Sequence, residues 1–396
     1  MKKMILGLVA VLVLFGAVVT YTHWDSAAPA AVAAAPTATA KPVETPTVHT
    51  LDYDAIRALY PADTAAITLE DEVMNWDVYA DWLRTNGLQY EDYFRQMGAY
   101  YGVAADWAGS MGDGTGNTYA QGLVKETNET LASFMAIKAM AKEKGISLDE
   151  ETQKNLDPET MAHQILGEKA TVADLAAELE NTSHMTVRAF RFYSEALDLY
   201  TLLAQELYGA QGEKVAAADV VADLEEHGYL SAHHILFMTI DPMTGKNLEE
   251  AEVAKKLEQA NELVKELRAI EDHDELLKRF AELKEQYCED TGKTAYPDGY
   301  TFTPGTMVKV FEDTLTAQQP FEVSDPVQSD YGFHIIMRLP LNADSLLFSP
   351  MGTPQIARVA YAQERITRDL DDYYAAHPPV FADGLEELDL TQYIVK

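Results

Sequence analysis

The sequence is poor in cysteine and in basic residues. Cys288 is the only cysteine among 396 residues, so the chain can form neither an internal disulfide nor a multi-cysteine metal site. Lysine and arginine total 30 against 64 aspartates and glutamates, which gives a formal net charge of −34 at pH 7. A surface this acidic repels phosphate backbones and anionic lipid headgroups, so we expect no nucleic-acid partner. The hydrophobic content of 47% is enough for the cores of two or three domains.

Long apolar runs are also scarce, and the clearest one lies near the N-terminus. Residues 1–24 carry two lysines, Lys2 and Lys3, and continue as an apolar run over about residues 4–19, which is typical of a signal peptide or an N-terminal membrane anchor. No cysteine lies near the end of this run, which excludes lipid attachment there. Residues 25–49 are rich in Ala, Pro and Thr and are predicted to be a linker. We expect the folded part to be extracytoplasmic, either cell-surface associated or secreted, and cleavage of the signal stays open.

Residues 50–226 have apolar positions at helical spacing and are predicted to form the N-terminal part of a helical domain. Asn75 is predicted to cap one helix. The sequences "SLDE" (147–150) and "TVAD" (171–174) are typical of capping boxes that begin two further helices.

Residues 341–396 return to helical spacing after a domain of different character. Their apolar stripe consists of Val359, Ala362, Ile366, Leu370 and Tyr373. A single helix cannot bury its own stripe. We therefore expect this segment to pack on the N-terminal helical domain, which would make that domain discontinuous in sequence.

Residues 227–340 have the pattern of a compact α+β domain. A strand, "YLSAHHILFMTID", is followed by two amphipathic helices over about 249–270 and 274–287. A short helix near 307–316 and a final strand, "GFHIIMR", complete the order. Strands that alternate with helices in this way predict one small sheet covered by helices.

Four stretches of this domain, in their order, carry a family resemblance: "SAHHILF", "YCEDTG", "FTPGTMVKVFEDTL" and "SDPVQSDYGFHIIMR". Residues 227–340 resemble a parvulin-type peptidyl-prolyl cis-trans isomerase, and the flanking regions resemble those of extracytoplasmic PrsA-like and SurA-like foldases. The resemblance implies an α+β fold. A parvulin-like domain, with a small antiparallel sheet and surrounding helices, would be inserted in a mostly α-helical chaperone-like domain. It also implies a bacterial setting.

The resemblance assigns site residues one by one. The catalytic set comprises a histidine on the first strand, a histidine on the last strand, an aspartate and a serine: His234, His334, Asp290 and Ser329. The residues expected to contact the substrate proline are Met307, Phe311, Phe302 and Leu236. We expect the two histidines to hydrogen-bond to each other, because a buried imidazole needs a partner.

Two residues close to the predicted site are not assigned to it, and the sequence differs from the family pattern at two places. His233 should point to the opposite face of the sheet from His234, because strand side chains alternate. Cys288 lies near Asp290 but does not align with the family position. Many family members have "GDLG" where this chain has "PDGY", and Tyr331 replaces a smaller group or Phe. These departures bear on the catalytic rate more than on the fold.

Each of these residues also has a purely structural explanation. A lone histidine in an apolar strand is usually a core residue that has found a partner. Met307 and Phe311 have the spacing of helix residues that face a core, and Asp290 can be a loop or cap residue. Matched positions in one family favour function over structure, although the histidine pair can still serve chiefly to hold the fold.

The implied reaction needs neither a nucleophile nor a cofactor. Rotation about a prolyl amide crosses a barrier of about 18–20 kcal/mol and breaks no bond, so an enzyme must bind the twisted amide better than the planar one. The loop "TIDPMTGKN" offers Asp241 and, as a basic group, only Lys246. A phosphate would meet little positive charge there, so we expect no preference for phosphorylated substrates.

Two functions remain open at this point. The first is an isomerase and foldase acting on unfolded or nascent secreted proteins that contain X-Pro bonds. The alternative is a holdase chaperone with a weak or inactive parvulin domain. Aromatic residues that either line a client cradle or form a core, the latter being favoured, are Trp76, Trp82, Tyr90, Tyr93, Phe94, Tyr100, Tyr101 and Trp107. A surface protein without clients is a third reading, and a homodimer and membrane attachment through the N-terminal segment stay open.

Overall fold

The computed structural model describes residues 48–101, 106–349 and 353–395. The predicted signal or anchor, and nearly all of the predicted linker, lie outside the described residues. Among the helices of the described ranges, none combines the length and the apolar content that crossing a membrane requires.

The chain folds as two compact units. One unit joins the described residues up to Leu203 with those from Thr367 onward, and the other runs from Ala204 to Ile366. Up to residue 208 the elements are α1 (Tyr53–Arg57), β1 (Ala65–Leu69), β2 (Glu72–Asn75), α2 (Trp76–Tyr101), α3 (Tyr119–Glu143), α4 (Glu150–Asn155), α5 (Pro158–Leu166), α6 (Val172–Ser183) and α7 (Val187–Tyr208).

The remaining elements follow in chain order. They are α8 (Ala217–Glu226), β3 (Leu230–Met238), α9 (Glu250–Leu267), α10 (His273–Tyr287), a 3-10 turn (Thr291–Thr294), β4 (Tyr300–Phe302), α11 (Lys309–Ala317), β5 (Val327–Gln328), β6 (Gly332–Arg338), β7 (Leu346–Leu347), β8 (Gln355–Ile356), α12 (Ala357–Ala376), β9 (Val380–Phe381) and a second 3-10 turn (Leu390–Tyr393). Helices and a mixed sheet in one chain confirm the predicted α+β class.

The first unit contains a sheet that the helical pattern of residues 50–226 did not predict. Strands β1 and β2 form an antiparallel hairpin whose turn holds Glu70 at a φ of 50°. Turns of this kind are usually signalled by glycine or asparagine, and none is present here. Helix α2 does begin directly after Asn75, as predicted, but the N–H groups that an Asn75 side-chain cap would bind have other partners: the Asp77 N–H donates to the Ala62 carbonyl at 3.1 Å and the Val78 N–H to Asp77 Oδ1 at 2.8 Å.

Two helix N-termini predicted further along this unit agree better with the structure. At "TVAD", Thr171 is the N-cap of α6, and its hydroxyl and the Asp174 carboxylate each accept the other residue's N–H, which confirms the capping box. At "SLDE" a helix does begin, but its cap is Asp149 rather than Ser147. The Asp149 carboxylate accepts from the Thr152 N–H at 2.7 Å.

The C-terminal residues complete the first unit. Strand β9 pairs antiparallel with β1, in the sheet order β2-β1-β9. Near the end of the chain, Val395 N–H donates to the Thr50 carbonyl and Asp52 N–H to the Tyr393 carbonyl, each at 2.8 Å. The first and last described segments of the chain are therefore joined by backbone hydrogen bonds.

The aromatic residues of the first unit mostly form its core. The side chains that are almost completely buried are Trp76, Trp82, Phe94 and Trp107. Tyr93 and Tyr100, by contrast, are 43% and 83% exposed. The preference for a core therefore holds for the tryptophans and Phe94 but not for these two tyrosines.

The second unit is organised around a six-stranded sheet in the order β5-β6-β3-β4-β7-β8. Its centre is the long antiparallel pair β3 and β6, in which Ala232 faces Arg338 and Met238 faces Gly332. All neighbouring strands are antiparallel except β4 and β7, which run parallel. The last two strands, β7 and β8, come from residues beyond the predicted parvulin-like domain.

Apolar clusters cover both faces of this sheet. Helices α9 and α10 contribute to one cluster with Ile235, Phe237 and Ile335, while α11 contributes Phe311 and Leu315 to the other. The His233 ring stacks on Phe280 of α10 at 5.7 Å. The rings of Tyr300 and Phe311 each lie 5.4 Å from His234. The prediction that the two adjacent histidines face opposite ways is confirmed.

Gly332 allows β6 to begin directly against β3. Its φ is +150°, and a Cβ at this position would lie 2.0 Å from the Phe237 carbonyl oxygen. This backbone conformation is essentially restricted to glycine, and the approach to rigid backbone leaves no room for relaxation.

We predict that Gly332→Ala destabilises the β3–β6 pair by about 3 kcal/mol or more, which sums backbone strain and overcrowding. The measurement is hydrogen exchange in the full chain, in which the β3 and β6 amides of the variant should exchange faster than those of the parent. Gly245→Ala is the matched control, because Gly245 has a φ of +68° but nothing within 4 Å of the added Cβ. Equal protection in both variants would contradict the prediction.

Candidate active site

The two predicted histidines lie side by side on one face of the central strand pair. In the register of β3 and β6, His234 faces Ile336 and Leu236 faces His334, so the two histidines are diagonal neighbours. Diagonal neighbours on one face are within reach of each other when the side chains are aromatic. The two rings meet edge to face with their centroids 5.5 Å apart.

The expected hydrogen bond between the histidines is not formed in the described part of the chain. Each ring instead directs Nε2 at its own partner, at 3.0 Å from Asp290 Oδ2 for His234 and 2.7 Å from Ser329 Oγ for His334. The diagonal offset explains this, because it brings the rings together edge to face rather than nitrogen to nitrogen. The need of a buried imidazole for a partner is thus met by two separate pairs.

Asp290 reaches His234 because the end of α10 is tied to β3. The Leu236 N–H donates to Cys288 Sγ at 3.4 Å, and the Glu289 N–H donates to the Leu236 carbonyl at 2.9 Å. Asp290 then caps the following 3-10 turn, with Oδ1 accepting from the Gly292 N–H at 2.9 Å. Cys288 is buried and acts here as an acceptor within the fold.

Ser329 is fixed by the turn between β5 and β6. Its N–H donates to the Gly332 carbonyl at 2.9 Å, and its Oγ accepts from the Tyr331 N–H at 3.1 Å. The hydroxyl therefore faces His334 in a defined orientation. Tyr331 itself is 50% exposed at the tip of this turn.

Three of the four predicted substrate contacts lie together on the histidine face. Phe302 and Phe311 are buried with ring centroids 6.1 Å apart, and Met307 packs beside them partly exposed. Phe311 lies 5.8 Å from the His334 ring, in an edge-to-face arrangement. The fourth predicted contact, Leu236, is buried directly opposite His334 in the strand register, and its apolar contacts are with the cluster that contains Phe237 and residues of helices α9 and α10.

Two residues of this site were not predicted from the sequence. The Glu312 carboxylate accepts from the N–H groups of Gly305 and Met307 at 2.7 to 3.0 Å and so fixes the turn that carries Met307. The Tyr300 hydroxyl donates to Asp290 Oδ2 at 2.6 Å. Period-two alternation in β4, which places Tyr300 on the same face as Phe302, is the signal that could have found the second.

Charge is distributed unevenly across the two pairs. Burial opposes the charged imidazole of His234, but the hydrogen bond to Asp290, with help from the Cys288 thiol, raises the pKa of His234 above its ordinary value. Burial would likewise raise the pKa of Asp290, but hydrogen bonds from His234, Tyr300 and Gly292 hold that pKa well below its usual range. Both shifts favour the charged forms, because the hydrogen bond between the two groups stabilises the imidazolium and the carboxylate together.

The second histidine is held neutral. Burial, together with the nearby positive charge of His234, lowers the pKa of His334 to about 4. The Nδ1 atoms of both rings are buried and have no hydrogen-bond partner among the described residues. The face thus combines the His234–Asp290 pair, the His334–Ser329 pair with its neutral imidazole, and an apolar wall.

Comparison with known proteins agrees with this geometry. Residues 234–339 match the protein family described as the PPIC-type PPIase domain, or rotamase. Foldase protein PrsA 1 of Bacillus cereus is 52% identical over 60 residues, which are 15% of this chain and 21% of that protein. Foldase protein PrsA of Oceanobacillus iheyensis is 37% identical over 142 residues, 35% of this chain and 39% of that protein.

The shared length is limited. The chain covers about a fifth to two fifths of the curated relatives named above. A crystal structure of PrsA from Bacillus cereus aligns with 84% of this chain and 98% of its own, at 16% identity and a TM-score of 0.27. A TM-score this low does not establish a shared fold.

The family match and the histidine face coincide within the second unit of the chain. Residues 234–339 are therefore a parvulin domain of the PPIC type.

Proposed function

We propose that the chain is a foldase that catalyses cis-trans isomerisation of X-Pro bonds in polypeptides secreted across the cytoplasmic membrane. The observation that supports this best is the face formed by His234, His334 and Phe311, in which two partnered imidazoles adjoin a buried aromatic wall. The face lies inside the domain that matches the rotamase family.

The apolar wall supplies the first part of the mechanism. Phe302 and Phe311 are buried and Met307 is partly exposed, so a proline ring would dock on Met307 at the edge of a dry wall. A planar amide separates more charge than a twisted one, because twisting ends the conjugation between nitrogen and carbonyl. Surroundings without water therefore favour the twisted amide relative to the planar one, which lowers the barrier.

The polar pairs supply the second part. His234 and His334 are oriented by Asp290 and Ser329 and cannot rotate without breaking these hydrogen bonds. Preorganised groups of this kind stabilise a transition state without paying for reorientation during the reaction. No proton needs to leave either ring, because isomerisation breaks no bond.

The substrate is proposed to be unphosphorylated. In the loop after β3, the Asp241 carboxylate accepts from the N–H groups of Met243 and Thr244 at 2.8 and 2.9 Å. The Asp241 carboxylate is therefore fixed in this loop, where a phosphorylated substrate would need positively charged groups. Lys246 is the one basic residue in this loop. The proposed location outside the cytoplasmic membrane, and the proposed clients, rest on the apolar N-terminal run described above.

We predict that His334→Gln and Met307→Ala each lower kcat/KM for an X-Pro peptide at least about tenfold, which corresponds to a loss of about 1.4 kcal/mol in transition-state binding. The rate is measured as cis-to-trans exchange in a series of peptides that differ in the residue before proline. His163→Gln is the matched control, because His163 is an exposed residue of α5. If the parent chain catalyses the exchange and both site variants are equally fast, the active site lies elsewhere.

The two histidines are predicted to titrate on opposite sides of the ordinary histidine pKa of about 6.5. NMR of the ring protons in the full chain should show His334 titrating near pH 4 and His234 above 6.5. Asp290→Asn should bring the pKa of His234 down, because it removes the carboxylate that stabilises the imidazolium. A His234 pKa that is unchanged in Asp290→Asn would contradict the ion pair.

These pKa directions also set the dependence of stability on pH. Between about pH 6.5 and 4 the unfolded chain protonates at position 334 and the folded chain does not, so His334 makes stability fall as pH decreases in this window. His234 acts in the opposite direction: its contribution is complete below about 6.5 and is lost as pH rises through its folded pKa.

A holdase activity is the second candidate, and the exposed Tyr93 and Tyr100 on α2 favour it. Tyr93 lines a groove together with Asn86, Gln89, Tyr90 and Glu126. If this groove binds unfolded chains, Tyr93→Ser combined with Tyr100→Ser should weaken suppression of client aggregation about severalfold, while His334→Gln should leave it intact. If the double tyrosine variant suppresses client aggregation as well as His334→Gln does, the holdase candidate is wrong.

A further inference from the structure

The Asp290 carboxylate is surrounded by donors from three parts of the second unit. Oδ2 accepts from the Tyr300 hydroxyl at 2.6 Å and lies 3.0 Å from His234 Nε2. Oδ1 accepts from the Gly292 N–H at 2.9 Å. The Tyr300 bond is the shortest of the three, and it comes from the "PDGY" segment where the sequence departs from the family pattern.

The Tyr300 hydroxyl is confined as well as bonded. Tyr300 is 5% exposed, and a Cβ added at Gly292 would lie 2.1 Å from its hydroxyl oxygen. Burial and the adjacent Asp290 carboxylate raise the pKa of Tyr300, so the hydroxyl keeps its proton and remains a donor at neutral pH. Space for this hydroxyl exists only because residue 292 has no side chain.

Residues beyond the family-matched domain hold the Tyr300 ring. Strand β7 pairs parallel with β4, through Thr301 and Leu347, and the Phe348 N–H donates to the Thr301 carbonyl at 2.7 Å. The Phe348 ring meets Tyr300 edge to face with centroids 5.4 Å apart. Tyr296 completes a three-ring cluster, with its ring centroid 4.9 Å from that of Tyr300 and 5.2 Å from that of Phe348.

A buried lysine fixes the segment that leads into Tyr300. Lys284 of α10 donates from Nζ to the carbonyls of Tyr296 and Pro297 at 2.9 and 2.7 Å. Lys284 is itself buried, so its hydrogen bonds to these two carbonyls replace those that its ammonium group would make to water. The backbone before β4 is therefore anchored on the same helix whose end carries Asp290.

We propose that Tyr300 is a positioning residue that holds the Asp290 carboxylate against His234, and that residues 346–348 hold Tyr300 in place for this task. The active unit then extends past residue 339, where the family match ends. This inference rests on the proposed isomerase function for its kinetic consequence, but the geometry at Asp290 is testable without it.

The test is Tyr300→Phe in the full chain, which keeps the ring and removes the hydroxyl. Loss of a donor to the charged carboxylate should raise the pKa of Asp290 by about one unit, followed by the carbon resonance of its carboxyl group. The kcat/KM for an X-Pro peptide should fall about three- to tenfold. Tyr60→Phe is the matched control, because the Tyr60 hydroxyl donates to the Asp383 carbonyl in the first unit and its removal should change neither value.

Gly292→Ala provides a second, independent approach. It should displace the Tyr300 hydroxyl and so reproduce both effects of Tyr300→Phe, yet add little when introduced into Tyr300→Phe, where that oxygen is absent. Phe348→Ala should shift the Asp290 pKa in the same direction by a smaller amount. An Asp290 pKa and a kcat/KM unchanged by both Tyr300→Phe and Gly292→Ala would overturn the proposal.

The outcomes separate this inference from the proposed function. If the parent chain catalyses no isomerisation, the proposed function fails, and the Asp290 pKa still decides whether Tyr300 positions the carboxylate. If the parent chain is active and Tyr300→Phe retains full activity with an unshifted Asp290 pKa, the isomerase stands and the positioning role is wrong.

Discussion

The antiparallel register of β3 and β6 is the constraint on which the rest of the second unit depends. It sets His234 and His334 as diagonal neighbours, places Phe311 against both rings, and leaves His233 on the other face with Phe280. A slip of one residue would exchange the two faces and separate the histidines. Gly332 opposes such a slip, because only glycine fits against the β3 backbone at that point.

Each histidine on this face has one fixed partner, through Nε2, in a buried environment, whereas neither Nδ1 has a partner among the described residues. Asp290 carries the charge, and its three donors come from the central strand, the 3-10 turn and β4. The neighbouring neutral pair of His334 and Ser329 avoids a second charge close to the first. A charged pair beside a neutral one is a lower-cost arrangement than two buried charges, since uncompensated burial of charge is expensive.

Local patterns were sufficient to predict the α+β class and the opposite orientations of His233 and His234, because both follow from alternation along one strand. The contact between Tyr300 and Asp290 was beyond such patterns, since it depends on how a 3-10 turn and a short strand converge in space. The hairpin at Glu70 was missed because its turn lacks the usual residues. The expected bond between the histidines was wrong because the register offsets them by two positions.

The central claim is catalysis at this histidine face, and exchange NMR on a peptide with one X-Pro bond tests it most directly. Without a catalyst the cis and trans forms interconvert in tens to hundreds of seconds. We expect a catalytic amount of the full chain to produce exchange cross-peaks on the subsecond scale, and His334→Gln to remove them. The account would be contradicted if peptides with different residues before proline exchanged no faster with the folded parent chain than in buffer alone.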